Sequence, residues 1–149
     1  MTSENARTAE QARIRAVIDD WADAMRAKDT GRVVARQADG FVNYSLAPPL
    51  VAPTADTAGL SAWFATWRGG LGYAFRDLEV VVGGDAAFAH GLVHLSGIKV
   101  DGARNEVWFR QTLGLRRIGG EWKIAHQHES VPFYMDGSYR AAVDLAPAA

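Results

Sequence analysis

The run WKIAHQHES, Trp122 to Ser130, follows a Gly119-Gly120 turn and reads as a strand. Simple alternation places Trp122, Ile124, His126, His128 and Ser130 on one face. Trp and Ile are residues a sheet buries, so this pattern carries two imidazoles toward an apolar interior, where an unpaired polar ring is costly. Such a pair is expected to line a cavity. An imidazole gives or takes a proton near neutrality with little tuning, so His126 and His128 are the expected acid–base pair. The plain alternative is a hydrogen-bonded core or rim residue, and it applies equally to His90 and His94, the other two of the four histidines. Side chains two apart on a strand lie about 6.6–7 Å apart, so His126 and His128 could share an ion, whereas His90 and His94 are about 13 Å apart along theirs. Glu129 is assigned to the opposite face, and no carboxylate sits securely among the inward positions, so no metal site is assigned.

The preceding strand offers two more polar groups. Phe109, Gln111, Leu113 and Leu115 share one face and Arg110 and Thr112 the other. The apolar set turns Gln111 inward and Arg110 outward; a bulge would exchange them, and an inward Arg110 would suit a carboxylate or phosphate. Tyr44 sits in an early strand near the expected mouth of the pocket, where its hydroxyl could donate to a ligand carbonyl or its ring could pack on Pro48-Pro49. Trp21 and Trp63, with Trp67, are expected as aromatic walls, which suits a ligand with a flat or apolar body, although aromatic stripes at helical spacing also simply build cores. There is no Gly-x-Gly-x-x-Gly, Walker loop or Gly-x-Ser-x-Gly elbow, so nucleotide-cofactor and serine-hydrolase chemistry are not expected, and no cofactor is assigned.

The elements that must position these groups run helices first, strands after. Thr8 and Gln11 have capping-box spacing, and Ile14, Val17, Ile18, Trp21 and Met25 form one helical stripe. A break at Asp29-Thr30-Gly31 precedes a short helix through Val33, Val34 and Gln37. Phe41–Leu46 reads as a strand. Another helix starts near Asp56 or Thr57, presents Leu60, Trp63, Phe64 and Trp67, and is expected to stop at Gly69-Gly70. Tyr73–Val82, Ala86–Val100, Arg104–Ile118 and Glu121–Phe133 then read as sequential strands joined by Gly-rich turns. This order describes an α+β domain, a curved antiparallel sheet wrapped over N-terminal helices.

At 149 residues, 48% hydrophobic and 22% charged, the chain suits one domain over residues 1–134 with a C-terminal tail, residues 135–149, loosely docked or poorly ordered. A net charge of −1 leaves no electrostatic footprint for nucleic acid or an anionic membrane. With no cysteine there is no disulfide framework, thiolate nucleophile or thiolate metal site. No stretch is apolar enough to span a bilayer and the N-terminus is polar, so the expected location is the cytoplasm.

The order of elements, helix one ending in Ala-Lys-Asp, the FVNYSLAPP segment and the closing run RQTLGLRRIGGEWKIAHQHES resemble the nuclear transport factor two-like superfamily, and within it the SnoaL-like proteins and ketosteroid isomerase homologues. The closing run is also similar to the association domain of calcium/calmodulin-dependent kinase II. The resemblance covers roughly residues 9–134 and implies a cone-shaped, cystatin-like fold enclosing one deep pocket, with homodimerisation through the sheet. Laid over ketosteroid isomerase, its helix-one tyrosine falls at Trp21, its base near Tyr44, and its second aspartate at Leu113 or Gln111, so its catalytic set is not kept. What the resemblance implies is a small-molecule isomerase, cyclase or dehydratase working through His126, His128 and Tyr44, with Trp21, Trp63, His90, His94, Gln111 and Arg110 around the ligand. A non-catalytic ligand-binding domain and an assembly module are the alternatives.

Overall fold

The computed structural model describes residues 2–54 and 56–148. Its first helix, α1 (Ser3–Arg26), starts earlier than the capping pair suggests, because Thr2 supplies the N-cap and accepts the Asn5 N–H. Thr8 and Gln11 therefore lie inside the helix: the Thr8 hydroxyl donates to the Glu4 carbonyl, and the Gln11 amide donates to the Val80 carbonyl at 3.1 Å. Ile14, Ile18, Trp21, Ala22 and Met25 form the buried stripe. Lys28 takes a left-handed φ of 55° after α1, and Asp29 then caps α2 (Thr30–Ala35). Asp56 caps α3 (Thr57–Phe64) by accepting the Gly59 N–H at 2.9 Å.

Five strands accompany the helices, the first between α2 and α3 and the rest after α3: β1 (Gln37–Tyr44), β2 (Trp67–Gly83), β3 (Ala86–Lys99), β4 (Arg104–Ile118) and β5 (Glu121–Ser130). They form one sheet in the order β1-β5-β4-β3-β2. The sheet is mixed, not wholly antiparallel as the sequence suggested: β1 lies parallel to β5, because the chain crosses from one edge strand through the whole sheet before returning to it. The Gly69-Gly70 pair does not stop α3 but lies in β2, where Gly69 (φ 68°) serves a bulge between the Arg68–Ile98 and Gly72–Ser96 pairs. Trp67 is accordingly a strand residue.

Bulges curl this sheet around α1. Besides that at Gly69, one falls at Asp77 (φ 56°) in β2 and one at Gly40 (φ 75°) in β1. The fourth has the largest consequence. Leu115 pairs with Ile124 but the next residue, Gly114, pairs with His126, so Ala125 is an extra residue in β5. Alternation changes parity there. Trp122 and Ile124 are inside, but beyond the bulge the inward residue is Gln127 (8% exposed) and His126 and His128 turn to the outer face.

The inner face, α1 and Phe64 share one apolar core that includes Ile18, Trp21, Val93, Leu113, Leu115 and Ile124. The chain beyond β5 doubles back over the fold's surface: Phe133 bridges Ala141, Ala142 is buried with its N–H on the Pro132 carbonyl, and the Arg76 guanidinium holds the Ala148 carbonyl at 2.7 Å. No helix among the described residues is long and apolar enough to cross a membrane.

Candidate functional site

The parity change in β5 assembles a polar cluster within the apolar cone. Gln127 faces Leu113, and Glu129 faces Gln111 across the β4–β5 ladder. Gln111 is buried at 2% exposure and donates through Nε2 to the Tyr73 hydroxyl at 2.9 Å and to Gln127 Oε1 at 3.1 Å. Gln127 in turn donates to Asn43 Oδ1 at 2.8 Å, which ties the chain of amides to β1. Tyr73 packs edge-on against Trp21, Phe75 and Phe109, with centroids 5.9, 5.8 and 6.4 Å away. Gln111 Oε1 and Trp21 Nε1 are buried and make no hydrogen bond within the protein.

Glu129 is the acid of this cluster. Burial pushes its carboxyl up to about 7, because the ionised form loses solvation among amides and aromatic rings with no cation paired to it. The same burial raises the Tyr73 phenol well above its usual value, reinforced by the nearby Glu129 charge and opposed by the Gln111 hydrogen bond. Tyr73 thus stays a neutral hydroxyl that can donate, while Glu129 can hold or release a proton near neutral pH.

Glu129 borders, together with its neighbour His128, a groove of ≈ 600 Å³ whose other wall is the Tyr44–Val51 segment. Leu46, Pro48, Pro49, Leu50 and Val51 make that wall apolar, and no lysine or arginine lines the groove. A second groove, ≈ 510 Å³, lies between the start of α1 and the β2–β3 turn. Its acid, Glu10, is already committed: it accepts the Trp122 N–H at 2.6 Å and pairs with Arg13 and Arg117, and these contacts hold its carboxyl below the usual range, the Trp122 bond most strongly. That cluster clamps α1 to β5.

The residues expected from sequence divide by face. Gln111 and Trp21 are inside, in the Glu129 cluster. Tyr44, His126 and His128 do come together, with Tyr44 centroids 4.9 and 5.3 Å from the two imidazoles, but on the outer face. The inward position expected of His126 and His128 is corrected by the extra residue at Ala125. His90 is also outside, half exposed and 3.9 Å from Glu79. His94 stacks on Trp108 at 4.6 Å, outside as well, since Val93 and Leu95 on either side of it are the buried residues. Arg110 is exposed on the outer face and donates to Ser130 Oγ at 3.1 Å. Trp63 packs on Phe64 and Trp67 at the other end of β2 and so belongs to the aromatic packing under α3. No group of three or more His, Asp or Glu side chains among the described residues is arranged to hold a metal.

Glu129, Tyr73, Gln127 and Asn43 were not singled out from sequence. Their signal was present but misassigned: Gln127 and Glu129 alternate with the histidines, so a parity error in β5 exchanges one set for the other.

Comparison with known proteins agrees with this architecture. Residues 14–134 match the family model of the SnoaL-like domain. An NTF2-like protein of unknown function from Pseudomonas putida is 32% identical and superposes with a TM-score of 0.83 over 94% of this chain and 98% of that one. A candidate scytalone dehydratase from Novosphingobium aromaticivorans (15% identity, TM-score 0.78, 98% and 99% coverage) shares the fold. So does the association domain of C. elegans CaMKII (15% identity, TM-score 0.66, 85% and 99% coverage). No curated protein matches the sequence.

Proposed function

The chain belongs to the SnoaL-like domain family, and on that premise we propose that the cluster around Glu129 is a proton-transfer site for a small, largely apolar molecule. The single observation that carries this reading is a desolvated carboxyl held at about 7 that itself borders a groove with an apolar wall. A general acid–base group works best with a pKa near the operating pH. Glu129 would take a proton from a carbon or hydroxyl of the bound molecule. The Tyr73 hydroxyl, which accepts from Gln111 and keeps its own proton to give, would donate to the oxygen on which charge develops. No lysine or arginine lines the groove and its far wall is apolar, so a largely apolar substrate fits it. An isomerase, cyclase or dehydratase reaction fits this set, and the dehydratase candidate that shares the fold supports that class. The His126, His128 and Tyr44 acid–base set expected from sequence is replaced in this reading by Glu129 and Tyr73.

The test is exchange of α-protons of small cyclic and aromatic ketones with D2O, followed by NMR for wild type, Glu129→Gln and Tyr73→Phe. We expect exchange by the wild type and a loss of about 10²–10⁴-fold in Glu129→Gln. Equal exchange rates in wild type and Glu129→Gln would remove the carboxyl from the chemistry. Binding of such ketones with no exchange by any of the three proteins would leave a ligand-binding domain.

A second reading concerns assembly. The outer sheet face exposes Phe88 (46%), stacked on His90, and Val81 (47%), with the His94–Trp108 stack farther along β3. Together with the fold shared with a kinase association domain, this supports a homodimer formed through that face.

A further inference from the structure

The parity change that removes His126 and His128 from the interior also builds a second constellation, on the outer face beside edge strand β1. His126 Nδ1 lies 2.8 Å from the Val42 carbonyl oxygen. A carbonyl can only accept, so Nδ1 is the donor and Nε2 is the nitrogen turned away from the backbone. This is the arrangement in which a histidine typically ligates a metal, its other nitrogen held by a backbone carbonyl. His128, two residues on, is exposed on the same face, and the two ring centroids are 6.3 Å apart.

Tyr44 orders both rings. It pairs with His128 in the parallel β1–β5 ladder and stands edge-on to each imidazole, at interplanar angles of 79° and 89°. On the β4 side, His126 pairs with Gly114, whose missing side chain leaves that flank uncovered; a Cβ there would come within 3.4 Å of the His126 Cβ.

The 6.3 Å separation lies at the outer limit for one shared ion. A transition metal about 2.0–2.1 Å from each Nε2 holds two imidazole centroids no more than about 6–6.5 Å apart, and a tetrahedral angle needs them roughly 1 Å closer than that limit. Rotation of the exposed His128 ring supplies such a closure. We propose that His126 and His128 form a surface chelate for a borderline divalent transition cation, Zn(II) or Cu(II), with water filling the remaining positions and Tyr44 as the wall that positions the two rings. The ligand set has two neutral nitrogens and no carboxylate, which favours these cations over Mg(II) or Ca(II). Glu129 alternates with the two histidines along β5 and is not one of the ligands, although it borders the same groove as His128 and Tyr44.

The experiment is titration of the intact, metal-stripped protein with ZnCl2 by calorimetry, repeated with Cu(II) and read by electron paramagnetic resonance for nitrogen coordination. Wild type should bind one equivalent per chain with a two-nitrogen Cu(II) signature. His126→Gln and His128→Gln should each weaken binding by about tenfold or more while keeping the wild-type circular dichroism. His90→Gln, on the same face but outside the pair, should leave the titration unchanged. Absence of a one-equivalent isotherm in wild type overturns the proposal, as does binding that persists in both His126→Gln and His128→Gln or is lost in His90→Gln.

Discussion

Glu129 carries an energetic signature that is independent of any substrate. Its carboxyl sits at about 7 in the folded protein against 4.5 for an ordinary glutamate, so between those values the folded state holds a proton that the unfolded chain has released. Stability therefore falls as pH rises through that window and levels off above it. At about 1.4 kcal/mol per pH unit the loss is on the order of 3 kcal/mol at most, less to the extent that the groove hydrates the ionised form. Glu129→Gln keeps the shape and removes the charge. Chemical denaturation should find this variant more stable than wild type at pH 8 and close to it at pH 5; parallel pH profiles for the two proteins would mean that the carboxylate is not desolvated. Glu10 stands as the contrast. Its partners lower its pKa, which is what a structural carboxylate does, whereas Glu129 is raised because nothing in the protein compensates its charge.

The strands and helices decide which residues meet. A one-residue bulge at Ala125 exchanges a histidine face for a glutamine–glutamate face over the second half of β5. The bulges at Gly69 and Asp77 curl β2 so that Tyr73 can reach Gln111 two strands away. The groove depends on its own anchor. The Tyr44–Val51 wall runs toward α3, and the first turn of α3 is fixed by the Asp56 carboxylate on the Gly59 N–H. Asp56→Ala should cost about 1 kcal/mol in denaturant-derived stability. Hydrogen exchange should show the loss as faster exchange at the Gly59 amide, with the β3–β4 ladder unaffected; unchanged exchange at Gly59 would mean the cap is not formed in solution.

At the scale of the whole molecule, the two faces of one sheet have different tasks. The inner face is closed by α1 and holds the polar cluster; the outer face gathers all four histidines together with Phe88, Trp108 and Arg110. The exposed apolar side chains of that face, Phe88 and Val81, suit a self-complementary contact. Sedimentation should find a dimer for wild type and a monomer for Phe88→Glu, since two like charges would face each other's apolar surroundings across a two-fold contact. A wild-type monomer at micromolar concentration would dismiss the assembly reading and leave the Glu129 site untouched.

The family's architecture was legible in the sequence because it rests on local, redundant signals. The stripe from Ile14 to Met25, the α3 cap at Asp56 and the glycine turns at residues 83–84, 101–102 and 119–120 each specify their element without reference to the rest of the chain. Gln111 could be turned inward for the same reason, since four same-face positions, with Phe109, Leu113 and Leu115, agreed on β4. The site itself was not legible. A β-bulge adds one residue at no cost to hydrophobic patterning on either side of it, so nothing in WKIAHQHES distinguishes a continuous strand from one interrupted at Ala125. Which half of the alternation faces the core is set by the pairing of Leu115 with Ile124 and Gly114 with His126, a contact between strands. The parallel return of β1 onto β5, which puts Asn43 on Gln127 and Tyr44 on the two histidines, is likewise a property of the closed sheet. Periodicity determined that helices would pack on a curved sheet with polar groups on β5; only the tertiary register decided that the interior acid is Glu129 and that the histidines look outward.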